Sequence, residues 1–165
     1  MKFWKHSLLA ATVFMTLATT VTYTSCKHDS CKALMCRNGG TCADEFCRCP
    51  TGYEGTQCEI VSRTKFVGNY EGITQINGQP VIRDFAEVSV HAQSNNITAL
   101  QLAIATRSPE KIVGTVAANG MEVEVPATAT RKVTWKLDSN GNLEIVIEEM
   151  LDGKKKISEF RGHKV

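Results

Sequence analysis

Past Cys58 the chain contains no cysteine; all seven of its cysteines lie between Cys26 and Cys58. Residues 60–165 show almost none of the 3.6-residue apolar spacing that marks an amphipathic helix. The same stretch holds two histidines, His91 and His163, and no His-x-x-x-His pair. It has no serine-centred nucleophile elbow and no phosphate-cradling glycine loop. These gaps remove the usual sequence supports for zinc hydrolysis, serine acyl transfer and nucleotide chemistry. An excess of one charge is lacking too. Lys and Arg number 19 against 17 Asp and Glu, and two of the bases, Lys2 and Lys5, stand at the extreme N-terminus. Without those two the chain is balanced, which gives no general attraction to nucleic acid.

What the N-terminus does have is the layout of a removable secretory signal. Lys2 and Lys5 precede an uncharged run from Ser7 to Thr24 whose centre, Leu8 to Leu17, is apolar. About 20 strongly apolar residues would be needed to span a bilayer. This run is diluted by Thr12, Thr16, Thr19, Thr20, Thr22 and Thr24. Ser25-Cys26 resembles the end of a bacterial lipoprotein signal of the Bacteroides type, although Tyr23 stands where an aliphatic residue is usual. The resemblance implies removal of residues 1–25 and lipid on Cys26. It therefore implies a membrane partner through that anchor and an outer-membrane location. Lys27-His28-Asp29 partly matches the lysine-then-acid pattern of the surface-exposed members; His28 itself reads as a solvated residue. Residues 26–30 are then a lipidated linker reaching no more than roughly 15 Å.

Six cysteines remain, Cys31, Cys36, Cys42, Cys47, Cys49 and Cys58, with the spacing C-x4-C-x5-C-x4-C-x-C-x8-C. So short a segment cannot build a sufficient hydrophobic core, and an exported chain meets an oxidising compartment, so disulfides are expected. Spacing alone leaves fifteen pairings open. A zinc site at Cys47-x-Cys49 is the rival; the segment has no histidine, and export disfavours free thiolates. The stretches "CRNGGTC" and "CRCPTGYEGTQCE" resemble the epidermal-growth-factor-like (EGF-like) module, over residues 31–59. The resemblance implies the bridges Cys31–Cys42, Cys36–Cys47 and Cys49–Cys58. Its calcium-binding version carries an acidic cluster before the first cysteine. Here Lys27-His28-Asp29-Ser30 has one acid, so no calcium and no other metal is expected, and Asp29, Asp44 and Glu45 read as solvated.

Residues 60–165 alternate and turn. Segments such as "MEVEV", "KVTWKLD" and "NLEIVIEEM" place apolar residues at every second position, and Asn77-Gly78, Asn119-Gly120, Asn140-Gly141 and Asp152-Gly153 supply tight-turn signals. Met121, Val123, Val125, Val133, Trp135, Leu137, Leu143, Ile145 and Ile147 are read as the inward set. Eight such strands predict a mainly β fold, an antiparallel up-and-down barrel whose closure leaves no bare edge; an open sandwich is the alternative. Gly68-Asn69-Tyr70-Glu71-Gly72 resembles the opening strand of the small lipocalin-like domains in Bacteroides-type lipoproteins.

No catalytic residues, cofactor or metal are assigned, and no enzyme is expected. His91 and His163 read as solvated. Glu148 and Glu149 are strand neighbours pointing to opposite faces, so they do not form a carboxylate pair. Tyr70 and Trp135 read as core rather than pocket, Lys154-Lys155-Lys156 as a charged strand end, and Asn96-Ile97-Thr98 as a turn into a strand. Two non-catalytic functions stay open, with an enzyme whose site the sequence does not reveal ranked below them. One is engagement of an envelope or host protein partner by an EGF-like stalk and barrel head. The other is a small apolar or glycan ligand held in the barrel. A filled barrel with an exposed apolar patch favours the first and an internal cavity the second.

Overall fold

The computed structural model describes residue 31 and residues 33–165. The leader over residues 1–25, Cys26 and the linker over residues 26–30 lie outside the described residues. The cysteine-rich segment consists of two small hairpins. Strand β1 (Thr41–Ala43) pairs antiparallel with β2 (Phe46–Arg48), setting Cys42 opposite Cys47. Between them Asp44 and Glu45 both take positive φ, 53° and 71°, the mirror-type turn whose twist matches a two-residue hairpin. Strand β3 (Tyr53–Glu54) pairs with β4 (Ile60–Val61), so this last hairpin runs two residues past Glu59. Disulfides join Cys31 to Cys42, Cys36 to Cys47 and Cys49 to Cys58, the order that the resemblance implies. Met35 and Phe46 are exposed. Covalent links therefore take the place of a core, each stabilising such a unit by about 2–5 kcal/mol.

A 3-10 turn, Ser62–Lys65, leads into the second unit. Its strands are β5 (Gly68–Ile76), β6 (Ile82–Val90), β7 (Ala99–Ile104), β8 (Lys111–Val116), β9 (Glu122–Glu124), β10 (Arg131–Leu137), β11 (Leu143–Leu151) and β12 (Lys154–Lys164). Each pairs antiparallel with the next, and β12 returns to pair with β5. The result is a closed eight-stranded barrel rather than an open sandwich. Asp152-Gly153, with φ of 50° and 74°, makes the tight turn that lets β11 and β12 pair without a break from Leu151–Lys154 to Leu143–Gly162. At the β5–β12 seam Gly72 faces Gly162, and a Cβ at Gly72 would collide with the Arg161 carbonyl oxygen.

Inward parity follows the alternation. Val123, Val133, Trp135, Leu137, Leu143, Ile145 and Ile147 are buried, and Val125 packs against them. Met121 is the exception: it is exposed, because β9 begins at Glu122 and Asn119 Oδ1 accepts the Met121 N–H in the preceding turn. The middle of the barrel is filled by Trp135, Tyr70, Phe66 and Phe160, all nearly inaccessible. The Phe66 and Trp135 rings meet edge to face, 6.4 Å apart at 88°, the arrangement favoured by their quadrupoles. The Tyr70 hydroxyl donates to the Phe66 carbonyl at 2.7 Å.

Trp135 thus fills the middle of a packed core. Trp135→Ala is expected to lower stability by about 3–5 kcal/mol in urea unfolding, the range for emptying a packed aromatic site. A loss below about 1 kcal/mol, typical of exposed positions, would contradict this packing.

Candidate interaction surface

Sequence parity puts Tyr70 and Trp135 inside, and the structure places them in the packed core, not around a cavity. Burial pushes the Tyr70 phenol up to about 12 from its ordinary 10.0. The end of the barrel away from the cysteine-rich hairpins is closed by polar groups. Asp84 is buried on β6 and accepts from the hydroxyls of Thr74 (2.5 Å) and Thr106 (2.6 Å), and from the N–H groups of Phe85 (2.9 Å) and Thr106 (3.1 Å). Four donors satisfy a charge that burial would otherwise penalise heavily.

Beside it lies a cluster that sequence reading did not find. Arg107 Nε meets Glu110 at 2.8 Å and its terminal nitrogen meets Glu149 at 2.6 Å, while Arg131 meets Glu110 at 2.5 Å and Glu149 at 3.4 Å. Burial pulls the Arg107 guanidinium down, but its hydrogen bonds to Glu149 and Glu110 outweigh this and raise its pKa overall. Glu148, the neighbour of Glu149, points the other way and pairs with Lys155 at 2.9 Å. The only local signal for the cluster was the Arg107–Glu110 spacing around Ser108-Pro109; Arg131 and Glu149 arrive through folding.

The cluster pins the segment from Ala105 to Glu110 as an overhang, and under it a groove of about 620 Å³ runs along the outer wall of β5, β6 and β7. Phe85, Ala103, Pro109 and Val165 make its apolar part; Glu71 and Glu87 are its exposed acids. Phe85 points outward from β6 and is 55% exposed. A second depression, about 310 Å³, shares Glu71 and Phe85 and reaches Ile73, Arg83 and His163. The other residues singled out from sequence lie elsewhere. His91 follows β6, and Asn96 Oδ1 accepts from the Thr98 N–H (3.0 Å) and hydroxyl (2.8 Å) in a turn before β7. Asp44 and Glu45 are exposed on their hairpin turn, and Asp44 meets Arg48 at 3.1 Å. Among the described residues no group of three or more His, Cys, Asp or Glu is placed to hold a metal, and no helix is long and apolar enough to cross a membrane.

At the opposite end the two units touch. Lys65 pairs with Glu54 at 2.6 Å, the Ser62 N–H donates to the Gly52 carbonyl at 2.9 Å, and Gly52 lies against Ile97 and Thr98. A side chain at position 52 would overlap both residues.

Comparison with known proteins adds a likeness in the cysteine-rich segment. Neural-cadherin of Drosophila melanogaster is 43% identical over 47 residues, covering 26% of this chain. The chain spans 2% of the length of that relative. The likeness and the three disulfides are compatible with an EGF-like module. No family model matches the chain, and no solved structure matches it.

The raised Tyr70 pKa gives a signed pH dependence. An unfolded phenol loses its proton near 10.0, whereas the folded one keeps it to about 12. Between these values the folded state holds more protons, so its stability falls as pH rises through this window and is unaffected by Tyr70 below it. Denaturation midpoints measured across this alkaline window should drop less in Tyr70→Phe than in the parent chain. Parallel curves would contradict the assignment.

Proposed function

We propose that this chain is a non-catalytic interaction protein of the cell envelope, held by lipid on Cys26, with an EGF-like stalk over residues 31–59 and a barrel head over residues 60–165 that engages a protein partner of the envelope or of a host. The observation that carries this reading is the contrast between a barrel filled by Trp135, Tyr70, Phe66 and Phe160 and an outer wall that exposes Phe85 in a groove. A packed interior leaves a ligand no place to enter, whereas an exposed aromatic beside apolar neighbours is a common anchor of protein interfaces.

The anchor is supported by cysteine usage. Six of the seven cysteines are spent in bridges, and Cys26 ends a signal-like leader. With residues 1–25 removed and residues 26–30 as a short linker, the stalk stands close to the outer membrane. The Glu54–Lys65 pair and the Gly52 contact support a head carried directly on its stalk.

A photoreactive phenylalanine analogue placed at position 85, or at Thr134 on the far wall, tests the head in cells that make the protein. A discrete protein adduct from position 85 and none from Thr134 is expected. No adduct from position 85, with a small molecule retained by the folded chain in native mass spectrometry, would overturn the reading. For the anchor, Cys26→Ser is expected to release the chain from the membrane fraction or to stall its processing. A variant processed and anchored like the parent chain would refute lipidation at Cys26.

A further inference from the structure

Resting on that reading, we infer that the groove on β5, β6 and β7 receives a lysine or arginine side chain flanked by apolar residues, presented by an extended segment of the partner protein. The strand register assembles the site. Glu71 stands directly opposite Phe85, and Asn69 opposite Glu87, which in turn faces Ala103. Phe85 therefore has one carboxylate across the ladder and another two residues along its own strand, all pointing outward.

Neither acid has a counter-ion among the described residues. Glu71 and Glu87 form no ion pair or side-chain hydrogen bond among the described residues. On β11 Glu144 and Glu148 do have one, Lys136 and Lys155 respectively, whereas the exposed Glu122 and Glu124 of β9 have none among the described residues. Four cationic or titratable groups lie near: Lys111 on the groove, and Arg83, Arg161 and His163 in the adjoining depression, with His163 directly opposite Glu71 on β12. None of them pairs with Glu71 or Glu87. Glu110, also on the groove, is already committed to Arg107 and Arg131. On the groove itself, among the described residues, two uncommitted carboxylates, Glu71 and Glu87, stand against one uncommitted ammonium, Lys111, so its open charge is negative.

This arrangement selects the occupant by chemistry. A guanidinium or ammonium can rest on the ring face, attracted by its quadrupole, and reach a carboxylate at the same time. The apolar strip of Phe85, Ala103, Pro109 and Val165 takes the flanking side chains. A volume of about 620 Å³ falls in the ~300–1,000 Å³ range of sites that enclose a drug-sized ligand, enough for a short stretch of peptide. An acidic segment would meet two bare carboxylates, and a neutral sugar would leave both charges unmatched.

The test titrates the isotope-labelled full-length chain with three peptides, Ac-Leu-Arg-Leu-NH2, Ac-Leu-Gln-Leu-NH2 and Ac-Leu-Glu-Leu-NH2, and follows backbone amide shifts. The arginine peptide is expected to move Asn69, Glu71, Phe85, Glu87 and Ala103, and to bind about tenfold or more tighter than the glutamine peptide, the size of one charged hydrogen bond. The double variant Glu71→Gln, Glu87→Gln should erase that preference, and Phe85→Ala should weaken both peptides. These residues are exposed, so the barrel is expected to keep its fold, and the unchanged core amides verify it. Equal binding of the three peptides, shifts elsewhere, or a preference that survives the double variant would overturn the inference. So would cellobiose or chitotriose moving the same amides when the peptides do not. A photo-adduct at position 85 without any arginine preference sinks the basic-residue inference and leaves the interaction reading standing. Loss of the adduct, with a small molecule retained by the folded chain, sinks the interaction reading itself.

Discussion

Pairing of β12 with β5 closes the sheet, and a closed eight-stranded barrel has an interior just wide enough to be filled by its own side chains. In that space Trp135, Phe66, Tyr70 and Phe160 meet. Their volume is the constraint on which the rest depends. Once four rings share the middle, little room is left for a guest, and the strands cannot part without exposing them. The Gly72–Gly162 pair belongs to the same constraint. Only backbone fits where β5 and β12 approach, and the Phe160 ring lies over Gly162.

The two ends of the barrel are finished by different physics. Near the cysteine-rich hairpins the contact is made by backbone and small groups, with Gly52 against Ile97 and Thr98. At the far end the chain uses charge. Asp84 draws Thr74 and Thr106 together, and two arginines and two glutamates join the Ala105–Glu110 overhang to β10 and β11. A half-buried cluster balanced in sign, in which Arg107 bonds both Glu110 and Glu149, holds loop geometry more firmly than isolated surface pairs such as Asp44–Arg48, which contribute little. The groove owes its wall to that cluster.

Much of the architecture was legible in the sequence because a half-buried strand writes its parity into every second letter. Val133, Trp135 and Leu137 read inward and are inward. Strand count and closure followed from turn dipeptides such as Asp152-Gly153. Met121 broke the pattern because β9 is three residues long and the turn captures it. The groove was harder to read. Phe85 and Asp84 are each the wrong type for their parity, an aromatic facing out and an acid facing in, and that double inversion was visible in "IRDFAEV". What it meant was not visible, because Thr106, Arg131 and Glu149 reach the region through long-range pairing that no local pattern records.

On β5, β6 and β7 the letters that fill the core and the letters that face the groove alternate one by one. Tyr70 sits between Asn69 and Glu71, and Ala86 between Phe85 and Glu87. Substitution at the odd positions rewrites what the wall presents while the even positions go on specifying the fold. Such a scaffold can change its recognition in single steps, each nearly neutral to stability. Its descendants can therefore diverge in partner long before they diverge in shape.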